Sequence, residues 1–285
     1  MARRPNPPTV RLRRLAAELR KFRKAAKLTR EEVSQKTLIN AVTLYRIETA
    51  RARPQRRTLL ALLDLYEVGD PKRSGLVEIS LGAEYPGWLR PYQSELRELY
   101  TAFISFESEA RSVRNYESLL IPGLLQTEDY ARAVVNGGLP WGKPEEIEHR
   151  VRARMERQAV LAKEKPLRLW AVVDEAAIRR LVGDEGVMRA QLRHLVEVGA
   201  KPHVTIQVIP FDKGAHPGMP GSFMHLEFPD PADSDLVYID SMAGDLFLEE
   251  DADIQRFGLA YDHLRALALS PRDSAKLLAS AADRY

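Results

Sequence analysis

Residues 28–54 read LTREEVSQKTLINAVTLYRIETARARP, and they predict two short helices separated by a tight turn. Thr29, followed three residues later by Glu32, forms a capping box that starts the first helix, which runs to about Thr37. Asn40 is a favourable N-cap for the second helix, AVTLYRIET. A short helix, a tight turn and a second helix form the arrangement that places a helix in the major groove of DNA.

The second of these helices has an inward and an outward face. At helical spacing, Leu44 and Ile47 point inward, toward a core. The outward face then carries small, aromatic and basic side chains: Ala41, Val42, Tyr45 and Arg46. Such a face is suited to contact with the edges of bases in a groove.

Further helices are predicted on both sides of this pair. Residues 11–26 place four apolar side chains at the spacing of an amphipathic helix, namely Leu15, Leu19, Phe22 and Ala26. A leucine-rich helical pattern over 56–67 closes the core, and the glycines and prolines of 68–87 predict a linker. We therefore expect a mainly α, five-helix domain over 11–80, preceded by a flexible basic arm over 1–10.

The basic residues are concentrated in this first domain. Residues 1–80 contain 19 Lys and Arg against 8 Asp and Glu, whereas residues 81–285 contain 24 against 32. The formal charges are therefore +11 and −8, which together give the net charge of +3. Because Lys and Arg neutralise backbone phosphates, a basic domain joined to an acidic one indicates nucleic-acid binding at one end. A solvated charged surface explains the same counts, and charge alone does not separate the two interpretations.

Residues 81–285 predict a second domain that mixes helices and strands. We expect a long helix over 92–117 that runs into a strand-like segment over 117–125, and later helices that begin at Thr127 and at residue 144. Four β-rich segments follow, with a helix between the first two: LRLWAVV (167–173), VTIQVIP (204–210), FMHLEF (223–228) and LVYID (236–240). Two helices, over 251–269 and 271–282, end the sequence. This order predicts an α+β domain with a mixed β-sheet.

Residues 28–54 resemble the Cro/repressor-type helix-turn-helix of the large Xre-like group, which implies a lambda-repressor-like fold. The resemblance is carried by Leu28-Thr29-x-Glu31-Glu32, by Arg46-Ile47-Glu48 and by the nearby Pro54. Two positions depart from the group's pattern, because Leu38 and Ala50 stand where glycine is usual. Both raise the backbone cost wherever a positive φ is needed, unless Leu38 uses a different turn or buries its side chain.

The resemblance implies that the chain binds double-stranded operator DNA as a homodimer on two half-sites. It implies DNA contacts from one set of residues: Arg30, Lys36, Asn40, Ala41, Val42, Tyr45, Arg46, Arg51 and Arg53. In this group an arginine of the first helix pairs with the glutamate that ends the third. That pattern implies a structural ion pair between Arg23 and Glu48.

Side-chain chemistry gives individual roles to some of these residues. Arg46 can pair with guanine or with a phosphate, while Ala41 and Val42 offer apolar contact to thymine methyl groups. Tyr45 can bond a phosphate. For Arg46, the alternative is a solvated side chain or a salt bridge within the domain.

The region 85–280 resembles the carboxy-terminal domain that accompanies Xre-type helix-turn-helices in actinobacteria, in WhiJ-type developmental regulators and in antitoxin-like regulators. Four phrases carry the resemblance: Leu120–Ala131, Arg154–Gln158, Val172–Glu175 and Pro210–Gly218. It implies a transcriptional regulator whose carboxy-terminal domain binds a small protein partner or a small-molecule effector and thereby changes DNA affinity. The alternative is an antitoxin-like protein that neutralises a small partner and uses DNA binding to regulate its own operon.

Few residues of the second domain indicate a catalytic, metal-binding or ligand-binding role. The six histidines show no metal-ligand spacing and the chain has no cysteine, so we expect no metal site and no cofactor. His216 lies in the loop KGAHPGMPG, which is either a ligand loop or a turn that the histidine stabilises. Asp174 and Glu175 are either an acid/base pair or the cap of the next helix. Because no nucleophile or phosphate loop accompanies them, we predict that the chain is not an enzyme.

The sequence gives no sign of a membrane segment. No run approaches the roughly 18 apolar residues that a membrane span requires, and no apolar signal core follows the basic start. The absence of cysteine fits a reducing compartment. We therefore expect a cytoplasmic location.

Overall fold

A computed structural model of the chain describes residues 9–81, 87–92, 96, 98–139, 141–230, 233–242 and 244–285. The chain divides into two compact units. The first comprises the described residues within 1–93, 97–106 and 230–233, and the second comprises the remaining described residues. None of the helices in these described ranges is both long enough and apolar enough to cross a membrane.

The amino-terminal part of the first unit is helical, as predicted. It contains α1 (Val10–Ala25), α2 (Arg30–Thr37), α3 (Ala41–Glu48), α4 (Arg56–Leu65) and α5 (Lys72–Leu81). The predicted capping box is present at the start of α2, where Thr29 Oγ1 accepts from the backbone N–H of Glu32 and the Glu32 carboxylate accepts from that of Thr29. Of the arm predicted over 1–10, residues 1–8 lie outside the described residues, whereas Thr9 caps α1 and Val10 begins it.

Two details of the helical predictions are wrong. The linker predicted over 68–87 contains α5, because Leu76 buries its side chain in the core and this burial offsets the low helix propensity of Gly75. Ala26 does not extend the apolar stripe of α1, since it is exposed and caps the helix. The core itself is built from the predicted leucines and their neighbours: Leu15, Leu19, Val33, Leu44, Ile47, Leu59, Leu62, Leu63 and Leu76.

Four of these five helices end at a residue with positive φ that is not glycine. The residues are Lys27 (56°), Leu38 (59°), Ala50 (55°) and Glu67 (53°). After α3, the backbone N–H of Arg51 donates to the carbonyl of Arg46 and that of Ala50 donates to the carbonyl of Ile47, which is the Schellman motif. Leu38 neither avoids the left-handed region nor buries its side chain, which is 92% exposed. Leu38 and Ala50 therefore both adopt the left-handed backbone conformation, which costs more free energy for them than for glycine, as expected.

The second unit is built on a mixed sheet with strand order β3-β2-β1-β4-β5-β6. The strands are β1 (Ser112–Glu117), β2 (Arg168–Asp174), β3 (Val204–Ile209), β4 (Phe223–Glu227), β5 (Leu236–Ile239) and β6 (Leu246–Leu248). β1, β2 and β3 are parallel, whereas β4, β5 and β6 are added in antiparallel pairs. The predicted α+β class with a mixed sheet is thus confirmed.

The helices that follow α5 are placed largely as the sequence predicted. They are α6 (Glu98–Glu109), α7 (Glu128–Gly138), α8 (Pro144–Arg157), α9 (Glu175–Arg179), α10 (Glu185–Val198), α11 (Asp251–Leu267) and α12 (Pro271–Ala282). The parallel connections contain α7 and α8 between β1 and β2, and α9 and α10 between β2 and β3, as parallel strands require.

The prediction of a strand-like segment over 117–125 is wrong. The strand lies earlier, at Ser112–Glu117, and the helix predicted over 92–117 is shortened to α6. The segment after β1 is a loop with a 3₁₀ turn at Gly123–Leu125. Its apolar residues Ile121 and Leu125 are buried all the same. The many apolar residues therefore indicated burial correctly. They do not form a strand, because Pro122 and Gly123 interrupt regular structure.

One face of the sheet and its β3 edge are covered by the last two helices. Tyr116 and Phe223, which are register partners on β1 and β4, pack with Tyr261 and Leu264 of α11. At the edge, the N–H of Val208 donates to Ser274 Oγ at 2.9 Å and its carbonyl accepts from the N–H of Leu269, also at 2.9 Å. The start of α12 thus occupies backbone groups that an open edge strand would expose.

Candidate nucleic-acid interface

The outward face of α3 is accessible to solvent. Val42 is 66% exposed and Tyr45 is 41% exposed, whereas Leu44 and Ile47 of the same helix are buried. The side chain of Arg46 is exposed too, and within the part of the chain that the structure describes it forms no ion pair. Large apolar side chains beside a cation, held on a helix with a buried opposite face, form a surface suited to the edges of bases.

Behind this face, the carboxylate of Glu48 is shared by two arginines. Arg23 donates to it through Nε at 2.6 Å and Nη2 at 3.1 Å, and Arg30 donates through Nε at 2.8 Å. Only 3% of the Glu48 side chain is exposed. The hydrogen bond with Glu48 is the largest cause that raises the pKa of Arg23. This network joins α1, α2 and α3.

Two guanidinium groups lie against the ring of Tyr45. The Cζ atom of Arg30 is 5.2 Å from the ring centroid, and that of Arg51 is 5.7 Å from it. Both distances are within the range of a cation–π interaction. The structure therefore brings together one residue each from the start of α2, from α3 and from the turn after α3.

The other residues expected at DNA lie around this cluster. Asn40 acts as the N-cap of α3, because its Oδ1 accepts from the backbone N–H of Val42 at 2.8 Å. Ala41 is half-buried at the first position of the helix. Lys36 near the end of α2 and Arg53 after the Schellman turn are both exposed.

In the second unit, His216 is held in place through both ring nitrogens. Its Nδ1 accepts from the backbone N–H of Gly218 at 3.2 Å, so Nε2 carries the proton and donates to Asp174 Oδ2, also at 3.2 Å. The Asp174 Oδ1 atom accepts from the N–H of Ala176 and caps α9. This arrangement favours the interpretation of His216 as a histidine that stabilises its turn, and of Asp174 as a helix cap.

The segment Arg154–Gln158 has the sequence pattern of a charged, solvated helix face, but Arg157 does not follow that pattern. Arg157 is buried, and its Nη2 donates to Glu107 Oε2 at 2.6 Å. Gln158 Nε2 donates to the carbonyls of Gly123 and Gln126, at 3.1 and 2.7 Å. Gln158 therefore holds the loop after β1, whereas Arg157 joins the end of α8 to α6. A charged sequence pattern cannot by itself distinguish such a role from a solvated surface.

One group of possible metal ligands was missed by the sequence reasoning. His225, Glu227 and Asp235 place their ligand atoms within 4.8 Å of one another. Glu227, however, pairs with Arg114 at 2.8 Å and accepts from the hydroxyl of Ser112. The guanidinium of Arg114 thus already pairs with the carboxylate of Glu227, and a divalent cation would have to displace that guanidinium.

Exposed apolar side chains gather at one edge of the sheet. Because β5 is antiparallel to β4 and β4 to β1, the carboxyl ends of β1, β2, β3 and β5 lie at the same edge. Loops at this edge carry Leu119, Leu181, Phe211, Met219 and Met242, all largely exposed. Such an edge is where open α/β sheets commonly bind ligands.

Comparison with known proteins divides the sequence in a similar way. Residues 14–76 match a family described as a helix-turn-helix domain. Residues 100–280 match a family described as a domain of unknown function (DUF5753). No curated protein matches the chain. No solved structure matches it either.

Proposed function

The chain belongs to the DUF5753 family, and we propose, from the helix-turn-helix match over residues 14–76, that this amino-terminal domain recognises a specific DNA operator and regulates transcription. In this proposal the domain is of the Xre type, and the whole chain is an actinobacterial regulator of the WhiJ-like kind that acts in the cytoplasm. The observation that carries the proposal is the exposed face of α3, with Val42, Tyr45 and Arg46 accessible on a helix whose other side is buried.

Residues on and beside this face have individual roles in the proposal. Val42 and Ala41 contact thymine methyl groups, and Arg46 pairs with guanine through its two parallel donors. Lys36 and Arg53 lie beside the backbone phosphates. The chain binds as a homodimer, since one short helix reads too few bases for useful specificity and two half-sites double the number.

The carboxy-terminal domain supplies the regulatory input in this proposal. We infer that a small protein partner or a small-molecule effector binds it and changes DNA affinity, and the exposed apolar side chains at the carboxyl edge of the sheet are the support for this. Linkage requires the effect to be reciprocal, so that operator DNA changes the affinity for the partner by the same factor. A ligand that binds without changing DNA affinity is not the effector.

Selection from a pool of random duplexes tests the proposed function. The purified full-length chain is incubated with the pool, bound duplexes are recovered and amplified, and the cycle is repeated. We expect enrichment of a two-fold symmetric site with half-sites one helical turn apart. If the recovered duplexes share no sequence after several rounds, the chain is not a sequence-specific regulator.

A further inference from the structure

The ring of Tyr45 lies at the centre of a group of charged side chains. The guanidinium groups of Arg30 and Arg51 are both near its centroid, at 5.2 and 5.7 Å. These two cations come from different parts of the chain, one from the first residue of α2 and one from the turn after α3. The aromatic ring is therefore the element that brings them together.

Each of the two arginines is also fixed from a second direction. The Nε of Arg30 donates to the buried carboxylate of Glu48, which leaves the terminal nitrogens of its guanidinium for another acceptor. The backbone N–H of Arg51 donates to the carbonyl of Arg46 at 2.7 Å, within the Schellman motif that Ala50 makes by its positive φ. The side chain of Arg30 and the backbone of Arg51 are thus fixed, and this lowers the entropy cost of binding a ligand through the pair.

The charge of the group calls for an anion. Glu48 and Glu31 carry two negative charges, whereas Arg23, Arg30 and Arg51 carry three positive charges, so the group has a net charge of +1. Two cations held beside one ring repel each other, and an anion placed between them relieves that repulsion. Guanidinium groups pair well with phosphate oxygens because their N–H donors match the geometry of the phosphate.

We propose that Tyr45 is a positioning residue that holds Arg30 and Arg51 as a pair for the backbone phosphates of DNA, and that it acts through its ring. The inference rests on the proposed function and deepens it, since it assigns phosphate binding to this pair and leaves base reading to Ala41, Val42 and Arg46. It differs from the expectation that the Tyr45 hydroxyl itself bonds a phosphate. The two roles can be tested separately, because positioning of the arginines needs the ring and a bond to phosphate needs the hydroxyl oxygen.

The test measures the dissociation constant of the full-length chain for one duplex over a range of salt concentrations, for three single variants and one double variant. Tyr45→Phe keeps the ring and removes the hydroxyl, and we expect it to retain the affinity and the salt dependence of the natural protein. Tyr45→Leu removes the ring, and we expect roughly five- to tenfold weaker binding at low salt. Its plot of log affinity against log salt should be less steep by about 0.9 for each phosphate that the variant no longer neutralises.

Arg51→Gln is the third variant, and it keeps the ring while it removes one cation. We expect its salt slope to fall by about 0.9, and the double variant Tyr45→Leu/Arg51→Gln to lose no more than Tyr45→Leu does. The proposal is overturned if Tyr45→Phe loses as much affinity as Tyr45→Leu, or if the salt slope of Arg51→Gln equals that of the natural protein. If the natural protein binds no duplex at all, the proposed function fails instead, and that result is visible before any variant is compared.

Discussion

Arg23 and Glu48 form a two-point hydrogen bond, with Nε and Nη2 of the guanidinium 2.6 and 3.1 Å from the two carboxylate oxygens. The same Arg23 donates through Nη1 to the carbonyl of Leu28 at 2.8 Å. One side chain thus ties the end of α3 to the chain that enters α2. The position of α3, and with it the candidate DNA-binding face, depends on this pair.

Glu48→Gln should destabilise the chain markedly. The variant leaves Arg23 and Arg30 beside a neutral amide, and breaking a largely buried ion pair from one side costs about 2 to 4 kcal/mol in the free energy of unfolding. The control is Glu78→Gln, which removes an exposed carboxylate of α5 and should change that free energy by less than about 0.5 kcal/mol. Urea-induced unfolding followed by circular dichroism measures both. Equal stabilities for the two variants would refute the structural role of Glu48.

Lys27→Gly should stabilise the first unit, although most glycine substitutions destabilise proteins. Lys27 holds a φ of 56°, where glycine avoids a steric cost of about 1 kcal/mol. Part of the gain is offset by the greater freedom of glycine in the unfolded chain, so we expect a net gain of about 0.5 kcal/mol.

The control for this prediction is another lysine only three residues away. Lys24 lies within α1, so Lys24→Gly should lower the free energy of unfolding by about 1 kcal/mol. The thermal unfolding midpoints of the two variants should therefore move in opposite directions. A parallel decrease in both would show that the positive φ at Lys27 carries no strain.

Gly218→Ala should destabilise the second unit because there is no room for a β-carbon. An added Cβ at Gly218 would overlap the ring of Tyr116, which is fully buried against Phe223. We expect a loss of about 1 to 3 kcal/mol in the free energy of unfolding. Gly137→Ala is the matched control, since nothing lies near its added Cβ and alanine favours α7, so that variant should gain up to about 1 kcal/mol. Chemical denaturation of both variants distinguishes the outcomes.

Glu117 should make stability depend on pH. Burial raises the pKa of Glu117 from 4.5 to about 7, although hydrogen bonds from Ser222 and Asn115 act in the opposite direction. Between these two pKa values the folded chain holds a proton that the unfolded chain has released. The contribution of Glu117 to stability is therefore complete below pH 4.5 and is lost as the pH rises to about 7.

Glu117→Gln removes this dependence, because the amide stays neutral at every pH. The variant should be more stable than the natural protein at pH 8, by about 1 to 3 kcal/mol, and the difference should shrink toward pH 4.5. Urea unfolding of the full chain at a series of pH values gives the difference directly. A constant difference between the two proteins across that series would rule out a raised pKa at Glu117.

The sequence predicted α2 and α3 well because local signals and burial agreed there. Thr29 and Glu32 cap the helix reciprocally, and Leu44 and Ile47 recur at helical spacing. The pairing of Arg30 and Arg51 with Tyr45 could not be predicted in this way, since it depends on the turn that Ala50 makes after α3. The family resemblance implied DNA contacts from all three residues but did not reveal that both arginines lie against the ring of Tyr45.

The second unit was predicted less completely, for two physical reasons. β1 escaped prediction because its sequence SVRNYE is polar and buries Asn115, whereas apolar density marked the loop that follows. In the sequence, a buried charged residue such as Arg157 cannot be distinguished from a surface residue, because its partner Glu107 is fifty residues away along the chain. Long-range polar contacts of this kind leave no local periodicity in the sequence.

The affinity of Arg46→Ala for the selected operator tests the central claim most directly. If α3 reads DNA through its outward face, the variant should bind the operator about 1 to 3 kcal/mol more weakly, with its binding to random duplexes nearly unchanged. Arg272→Ala, which removes an exposed arginine of α12, should bind both duplexes as the natural protein does. Operator binding by Arg46→Ala as tight as that of the natural protein would contradict the account.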